Sequence, residues 1–151
     1  MTKGNKKHKP NPRRKAREYC VQALYQWQVS GDPINDIVMQ FLGEHVVNGT
    51  DTAYFQQLVE GVVADTESLD AHIKPLCRQD FKDMNPVELA IMRSAVFELI
   101  HRPDVPFKVV LNEAIDLAKN FGAQDGYRFI NGVLHQLAPR LREAEVASKD
   151  K

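Results

Sequence analysis

Asn85-Pro86-Val87-Glu88-Leu89-Ala90-Ile91-Met92-Arg93-Ser94-Ala95-Val96-Phe97-Glu98-Leu99-Ile100-His101 is the stretch on which the fold turns. Asparagine followed by proline is a helix start. The Asn side chain can accept from N–H groups of the first turn, and proline at the first helical position lacks an N–H that would have no partner there. Glu88, three residues after Asn85, completes the pattern of a capping box with Asn in place of Ser or Thr. From Val87 to His101 apolar residues recur nearly all round the helical wheel, which predicts a central helix with neighbours on several sides.

Outward from this helix, every segment reads as another. Asn11-Pro12 is a second start of the same kind, followed by an apolar stripe of Ala16, Cys20, Ala23, Leu24 and Trp27 and a stop at Gly31. Asp32-Pro33 opens a helix through Ile37, Val38 and Phe41 that is expected to end near Asn48-Gly49. Asp51 can cap one carrying Phe55, Leu58 and Val62, with a break near Asp65-Thr66 before a further helix through Leu69, Ile73 and Leu76. Beyond the central helix, Pro106 opens a helix to Phe121, and Gly122 suits a left-handed cap. Asp125 can cap a last helix through Phe129, Ile130, Val133, Leu134 and Leu137, with a bend or restart at Pro139 and a frayed, charged tail from Arg142. Strand patterns and fixed repeats are lacking. The expected fold is all-α: a compact bundle of about seven helices, as two three-helix subdomains sharing the central one. The expected organisation is a basic flexible extension over residues 1–11, an all-helical domain over 12–140 and a charged tail over 141–151.

Hydrophobic residues make up 43% of the 151, enough for a core. The apolar runs are far shorter than the roughly 20 residues of a membrane span. The basic N-terminus lacks the apolar stretch of a secretory signal, so the cytoplasm is the expected compartment. Cys20 and Cys77 have no metal-ligand spacing and are expected as reduced, buried thiols. The formal net charge of zero hides an asymmetry: residues 1–17 hold eight of the 20 Lys and Arg and no acid, leaving 12 basic against 20 acidic residues, a net of −8, in 18–151. An acidic body with a basic arm suits a polyanionic partner.

Phosphate-cradling glycine loops, zinc-binding histidine pairs and C-x-x-C motifs do not occur, and neither catalysis nor a cofactor or metal is expected. Glu113 and Asp116 share a helix face with Asn112 and Lys119, which reads as a salt-bridged, solvated surface. The first helix carries more information. Arg13, Arg14 and Arg17 fan over about 100° of its first turns, where positive charge opposes the helix dipole, so phosphate contact explains them better than stability does. Tyr25 points about 160° away from the apolar stripe and needs a second partner, either another helix of the bundle or another protein.

At these residues the sequence resembles the NusB family. Arg13-Arg14-Lys15-Ala16-Arg17, Gln22-Ala23-Leu24-Tyr25, Phe55 with Gly61, Met92 to Leu99, Val105-Pro106, Leu111 to Gly122 and Phe129-Ile130-Asn131-Gly132-Val133-Leu134 occur in the family's order, from about Arg13 to Leu137. The resemblance implies two helical subdomains and a role in antitermination of ribosomal RNA operons. The partners it implies are single-stranded boxA RNA and the small-subunit ribosomal protein NusE, with other antitermination factors and RNA polymerase engaged indirectly. By position it implies RNA contact at Arg13, Arg14, Arg17, Asp125 and Phe129, the last able to offer a ring for stacking. It places Tyr25 and Glu88 at the NusE-binding surface. His135 stands where relatives usually have Asp, and Gly126 where Ser is common. Two other functions remain open to the sequence. One is a protein-only scaffold; the other is the RNA-recognition module of an rRNA methyltransferase, which needs a further Rossmann-type domain that these 151 residues do not hold.

Overall fold

A computed structural model describes residues 11–44 and 49–149. The expected basic extension, apart from Asn11, lies outside the described residues, as does the Asn48 end of the second helix. Among the described residues there are eight α-helices: α1 (Pro12–Ser30), α2 (Ile34–Glu44), α3 (Thr52–Ala64), α4 (Thr66–Ile73), α5 (Pro86–His101), α6 (Phe107–Phe121), α7 (Gly126–Leu141) and α8 (Glu143–Lys149). Two 3₁₀ turns, Lys74–Leu76 and Phe81–Asp83, fill the connection between α4 and α5.

The helix starts follow the side chains that can cap them. Asn11 Oδ1 accepts from Arg14 N at 2.9 Å, Asp51 Oδ1 from Tyr54 N at 3.0 Å, and Asn85 Oδ1 from Val87 N and Glu88 N at 2.9 and 3.2 Å. The capping box at Asn85 is only half formed, because the Glu88 carboxylate reaches instead to the amide of Ala123.

α5 is the central helix, in contact with α1, α3 and α4 on one side and with α6 and α7 on the other. From Glu88 to Leu99 every residue is buried, which is why its apolar pattern runs all round. α1 packs on α3, α5 and α2, while α6 and α7 pack on each other and on α5. One core runs through both halves, from Leu24 and Phe55 through Met92 and Leu99 to Ile130 and Leu134. Val21, on Tyr25's side of the wheel, is buried too, since α1 has neighbours on more than one face.

The C-terminal segment differs from the expected frayed tail. α7 runs through Pro139 to Leu141, and the chain breaks only at Arg142. Arg142 is 7% exposed and donates to the carbonyls of Leu99, Glu98 and Arg102 at 2.6, 3.1 and 2.8 Å, closing the C-terminus of α5. Glu145, on the next turn, accepts from the amide of Phe107 at 2.8 Å. It thereby supplies the cap that Pro106 cannot give α6. Residues 142–149 are held in place because two helix ends use the charges of Arg142 and Glu145. At Gly122 the backbone is extended (φ −85°, ψ 178°) rather than left-handed. Glycine is needed there for space, since a Cβ would lie 2.8 Å from the carbonyl oxygen of Ala118.

Gly61 has the same kind of reason. A Cβ on it would stand 2.3 Å from Cζ of Phe97, so glycine is what lets the Phe97 ring lie on α3. Gly61→Ala is therefore expected to lower stability by about 1–3 kcal/mol through overpacking. At roughly 2–4 °C per kcal/mol for a chain of this size, thermal melting reads the change directly. A melting temperature equal to that of the parent protein would contradict the packing.

Candidate nucleic-acid and partner interfaces

The arginines at the start of α1 do not share one surface. Arg17 lies 4% exposed, one turn into the helix, where α1 crosses α5. Its Nε and Nη2 donate to Glu98 Oε2 and Oε1 at 2.9 and 2.8 Å. Glu98 is itself 2% exposed and also accepts from the Tyr54 hydroxyl of α3. Burial alone would favour losing the Arg17 charge, but the two bonds to Glu98 outweigh it and the guanidinium is held above its ordinary pKa. Such a guanidinium is committed to the interior. Arg17 was expected among the RNA-facing arginines, and this burial revises that placement.

Arg13 and Arg14 keep exposed side chains, 40% and 50%. Arg13 lies over the ring of Tyr54, its Cζ 4.1 Å from the centroid, with Asp51 at 3.8 Å. Arg14 donates to Glu113 from Nη2 at 2.8 Å and from Nε at 3.2 Å, and that bonding raises its pKa. Glu113 is 8% exposed and also faces Arg17 Nη1 at 3.7 Å. The carboxylate expected on a solvated face thus bridges α6 to α1. Its partners are across the bundle rather than along its own helix.

On the far side of α1 the structure opens a groove of about 520 Å³. Tyr25, Val21 and Val29 of α1, Phe41 of α2, Val87 of α5 and Phe121 of α6 line it. Tyr25 is 40% exposed, Val29 60% and Phe121 44%, so three apolar side chains at its rim face solvent. The Tyr25 ring is thus partly covered by the bundle and partly open to solvent, at the rim of a groove shared with α2, α5 and α6. Glu88, expected beside Tyr25 as a partner residue, is 8% exposed; its Oε2 accepts from Ala123 N at 3.0 Å. It braces the connection between α6 and α7 instead of presenting a surface charge.

That connection carries Asp125, with φ 66° and ψ 2°. A non-glycine residue in the left-handed region costs of order 1 kcal/mol, and Asp tolerates it better than most. Asp125 does not cap α7 with its side chain, which lies 63% exposed beside Arg128 at 3.4 Å. Phe129, one turn on, is half-buried and lines a cavity of about 310 Å³ with Leu76, Arg78 and Gln79 of the α4–α5 connection. The expected site residues therefore fall in three places: the start of α1, the Tyr25 groove, and the 122–129 segment with the α4–α5 connection.

Sequence reasoning missed Glu98, Tyr54 and Glu113 as the groups that hold the arginines. One signal was available for Glu98: a lone acid inside an apolar helix must find a cation. Among the described residues no group of three or more His, Cys, Asp or Glu could hold a metal ion, and no helix is long and apolar enough to cross a membrane.

With this geometry in view, comparison with known proteins gives one answer. Residues 14–139 match the profile of the NusB family. A transcription antitermination protein NusB of Shewanella amazonensis is 51% identical over 132 residues, 87% of this chain and 98% of that protein. The corresponding protein of Yersinia pestis (strain Pestoides F) is 50% identical over 135 residues, covering 89% and 98%. Among solved structures, T. maritima NusB superposes with a TM-score of 0.73 at 27% identity, covering 86% of this chain and 92% of that one. A chain in a crystal structure of the antitermination factors NusB and NusE with double-stranded RNA superposes with a TM-score of 0.76 at 24% identity, covering 84% and 96%.

Two outcomes test the buried cluster. Arg17→Ala should cost about 3–5 kcal/mol, because it strands a buried carboxylate, whereas Arg13→Ala should cost under about 1 kcal/mol; denaturant unfolding of both variants compares them. Equal effects would place Arg17 at the surface. The second outcome is alkaline sensitivity. Burial pushes the Cys20 thiol, hydrogen-bonded to Ser94, up from 9.0 to about 12. Burial and the Glu98 carboxylate raise Tyr54 in the same direction. Above pH 9 the unfolded chain releases the thiol proton and the folded chain keeps it. This stability is thus complete below pH 9 and is lost as pH rises towards 12. A urea midpoint that stays flat from neutrality to pH 12 would contradict it.

Proposed function

The chain belongs to the NusB family, and from that premise we propose that it is an RNA-binding adaptor in transcription antitermination of ribosomal RNA operons. It binds boxA RNA together with the small-subunit ribosomal protein NusE and does its work by binding rather than by catalysis. The observation that carries this reading is a match to transcription antitermination proteins at about half identity along 98% of their length. Residues 12–140 are the RNA-binding domain.

The geometry supports a division of labour. Arg13 and Arg14 offer exposed guanidiniums for phosphates. Asp125 and Phe129 form a second point of contact, with the half-buried Phe129 ring and Arg78 beside it suited to an unstacked base. The apolar Tyr25 groove takes NusE, since aromatic side chains at the rim of a desolvatable pocket are the usual anchors of protein interfaces. Arg17 serves the RNA indirectly, by fixing the helix that carries its two neighbours.

Fluorescence anisotropy with labelled single-stranded boxA RNA, with and without NusE, tests the proposal. Arg13→Ala/Arg14→Ala should flatten the log–log salt dependence by about 1.4, at roughly 0.7 for each phosphate no longer neutralised. Tyr25→Asp should weaken NusE binding by about 30-fold or more, as expected for removal of an interface anchor. Because the ring is 40% exposed, the melting temperature should move little. Absence of RNA binding in both conditions would leave a protein-only scaffold. A collapse in melting temperature with Tyr25→Asp would return that ring to the bundle.

A further inference from the structure

We infer that the buried Glu88 carboxylate is a positioning residue that couples occupancy of the Tyr25 groove to the RNA-facing segment after α6. The inference rests on the assignment of partner and RNA to those two places.

Glu88 begins the buried part of α5 but directs its carboxylate to another element. Oε2 accepts from the amide of Ala123, in the five-residue segment Gly122-Ala123-Gln124-Asp125-Gly126 that spans the α6–α7 connection and the first residue of α7. The two glycines of that connection are what admit it. A Cβ on Gly126 would lie 2.0 Å from Oε2 and 2.5 Å from Cδ, and a Cβ on Gly122 would lie 3.2 Å from Oε2. The carboxylate is thus wedged between the two ends of the connection. Gly126, with the closer of the two approaches, is the position that makes room for it.

Both faces of this wedge lead to a proposed binding place. Val87, the neighbour of Glu88, and Phe121, the neighbour of Gly122, line the Tyr25 groove. A side chain seated there presses on the start of α5 and the end of α6 together. Between the glycines, Asp125 is held in the left-handed region, and α7 starts directly after it with Phe129 one turn on. A partner that fixes the two helix ends therefore also fixes the conformation of Asp125 and the aim of Phe129. RNA then binds a segment that is already ordered, so the two ligands help each other, reciprocally.

The quantity to measure is the ratio of RNA dissociation constants without and with saturating NusE. In the parent protein it should be about fivefold or more, the lower end of ordinary coupling between sites. Gly126→Ala keeps the Glu88 charge but drives its carboxylate out, and Glu88→Ala removes it. Both should bring the ratio to within about twofold of one, whereas Glu88→Gln, which keeps an acceptor oxygen, should retain it. Hydrogen exchange at the Ala123 amide reads the wedge without RNA: adding NusE should slow it in the parent and leave it unchanged in Gly126→Ala. A parental ratio kept by both folded variants overturns the inference. So does a ratio of one in a parent that still binds both ligands, which leaves the adaptor reading intact. If the parent fails to bind RNA at all, the adaptor reading falls, and unchanged Ala123 exchange on adding NusE overturns the wedge separately. Should Glu88→Ala fail to fold, Gly126→Ala and Glu88→Gln carry the comparison.

Discussion

The bidentate contact between Arg17 and Glu98 is the constraint on which the arrangement of α1, α3 and α5 depends. Both charges are almost wholly buried, and each alone would be expensive to desolvate. They are tolerated because the guanidinium fork meets both carboxylate oxygens while the Tyr54 hydroxyl also donates to Glu98. An apolar pair of similar volume would hold the helices about as strongly, but would accept several registers. A fork facing a carboxylate accepts one. The cost of burying charge is thereby turned into a fixed position of α1 on the central helix.

α5 repeats this device. Its charged residues Glu88, Arg93 and Glu98 are spaced five apart, which turns them about 140° from one to the next around the axis. Each reaches a different neighbour. Glu98 takes Arg17 of α1, Arg93 takes Asp70 of α4 at 2.9 and 2.8 Å together with Gln28 of α1, and Glu88 takes the α6–α7 connection. A helix that is buried on all sides has no solvated face on which to place its charges. Those it keeps become the points at which the surrounding helices are registered.

This explains what the sequence could and could not disclose. The helices were legible because the caps at Asn11, Asp51 and Asn85 and the apolar stripes are local, and the central role of α5 followed from its lack of a polar face. The ends failed where distant groups decide them. Arg142 and Glu145 engage the last helix only because α5 ends and α6 begins beside them, and the space at Gly122 is closed by Ala118 and Glu88. At the site, Tyr25 could be read from the wheel, since pointing away from the stripe is also a local property. The fate of Arg17 could not be read so. Three arginines within five residues look alike until the chain brings Glu98, 81 residues away, under one of them.

The same cluster shows how the interior and the proposed RNA surface are connected. Tyr54 donates to Glu98 from its hydroxyl, while the buried ring receives Arg13, whose own side chain stays 40% exposed, at 4.1 Å. Arg13 is thus held by a side chain that is itself fixed by the buried cluster, and a phosphate meeting it finds a guanidinium whose freedom is already reduced. Arg14 is placed differently. Its charge is shared with Glu113, which also faces Arg17, so a phosphate there must compete with a carboxylate that stays in place. On the proposed RNA surface, Arg13, whose nearest carboxylate is Asp51 at 3.8 Å, would offer a phosphate a freer guanidinium than Arg14, which is hydrogen-bonded to Glu113 at 2.8 Å. The buried pair thus reaches the proposed RNA surface through Tyr54, which carries Arg13, and through Glu113, which faces Arg17 and holds Arg14.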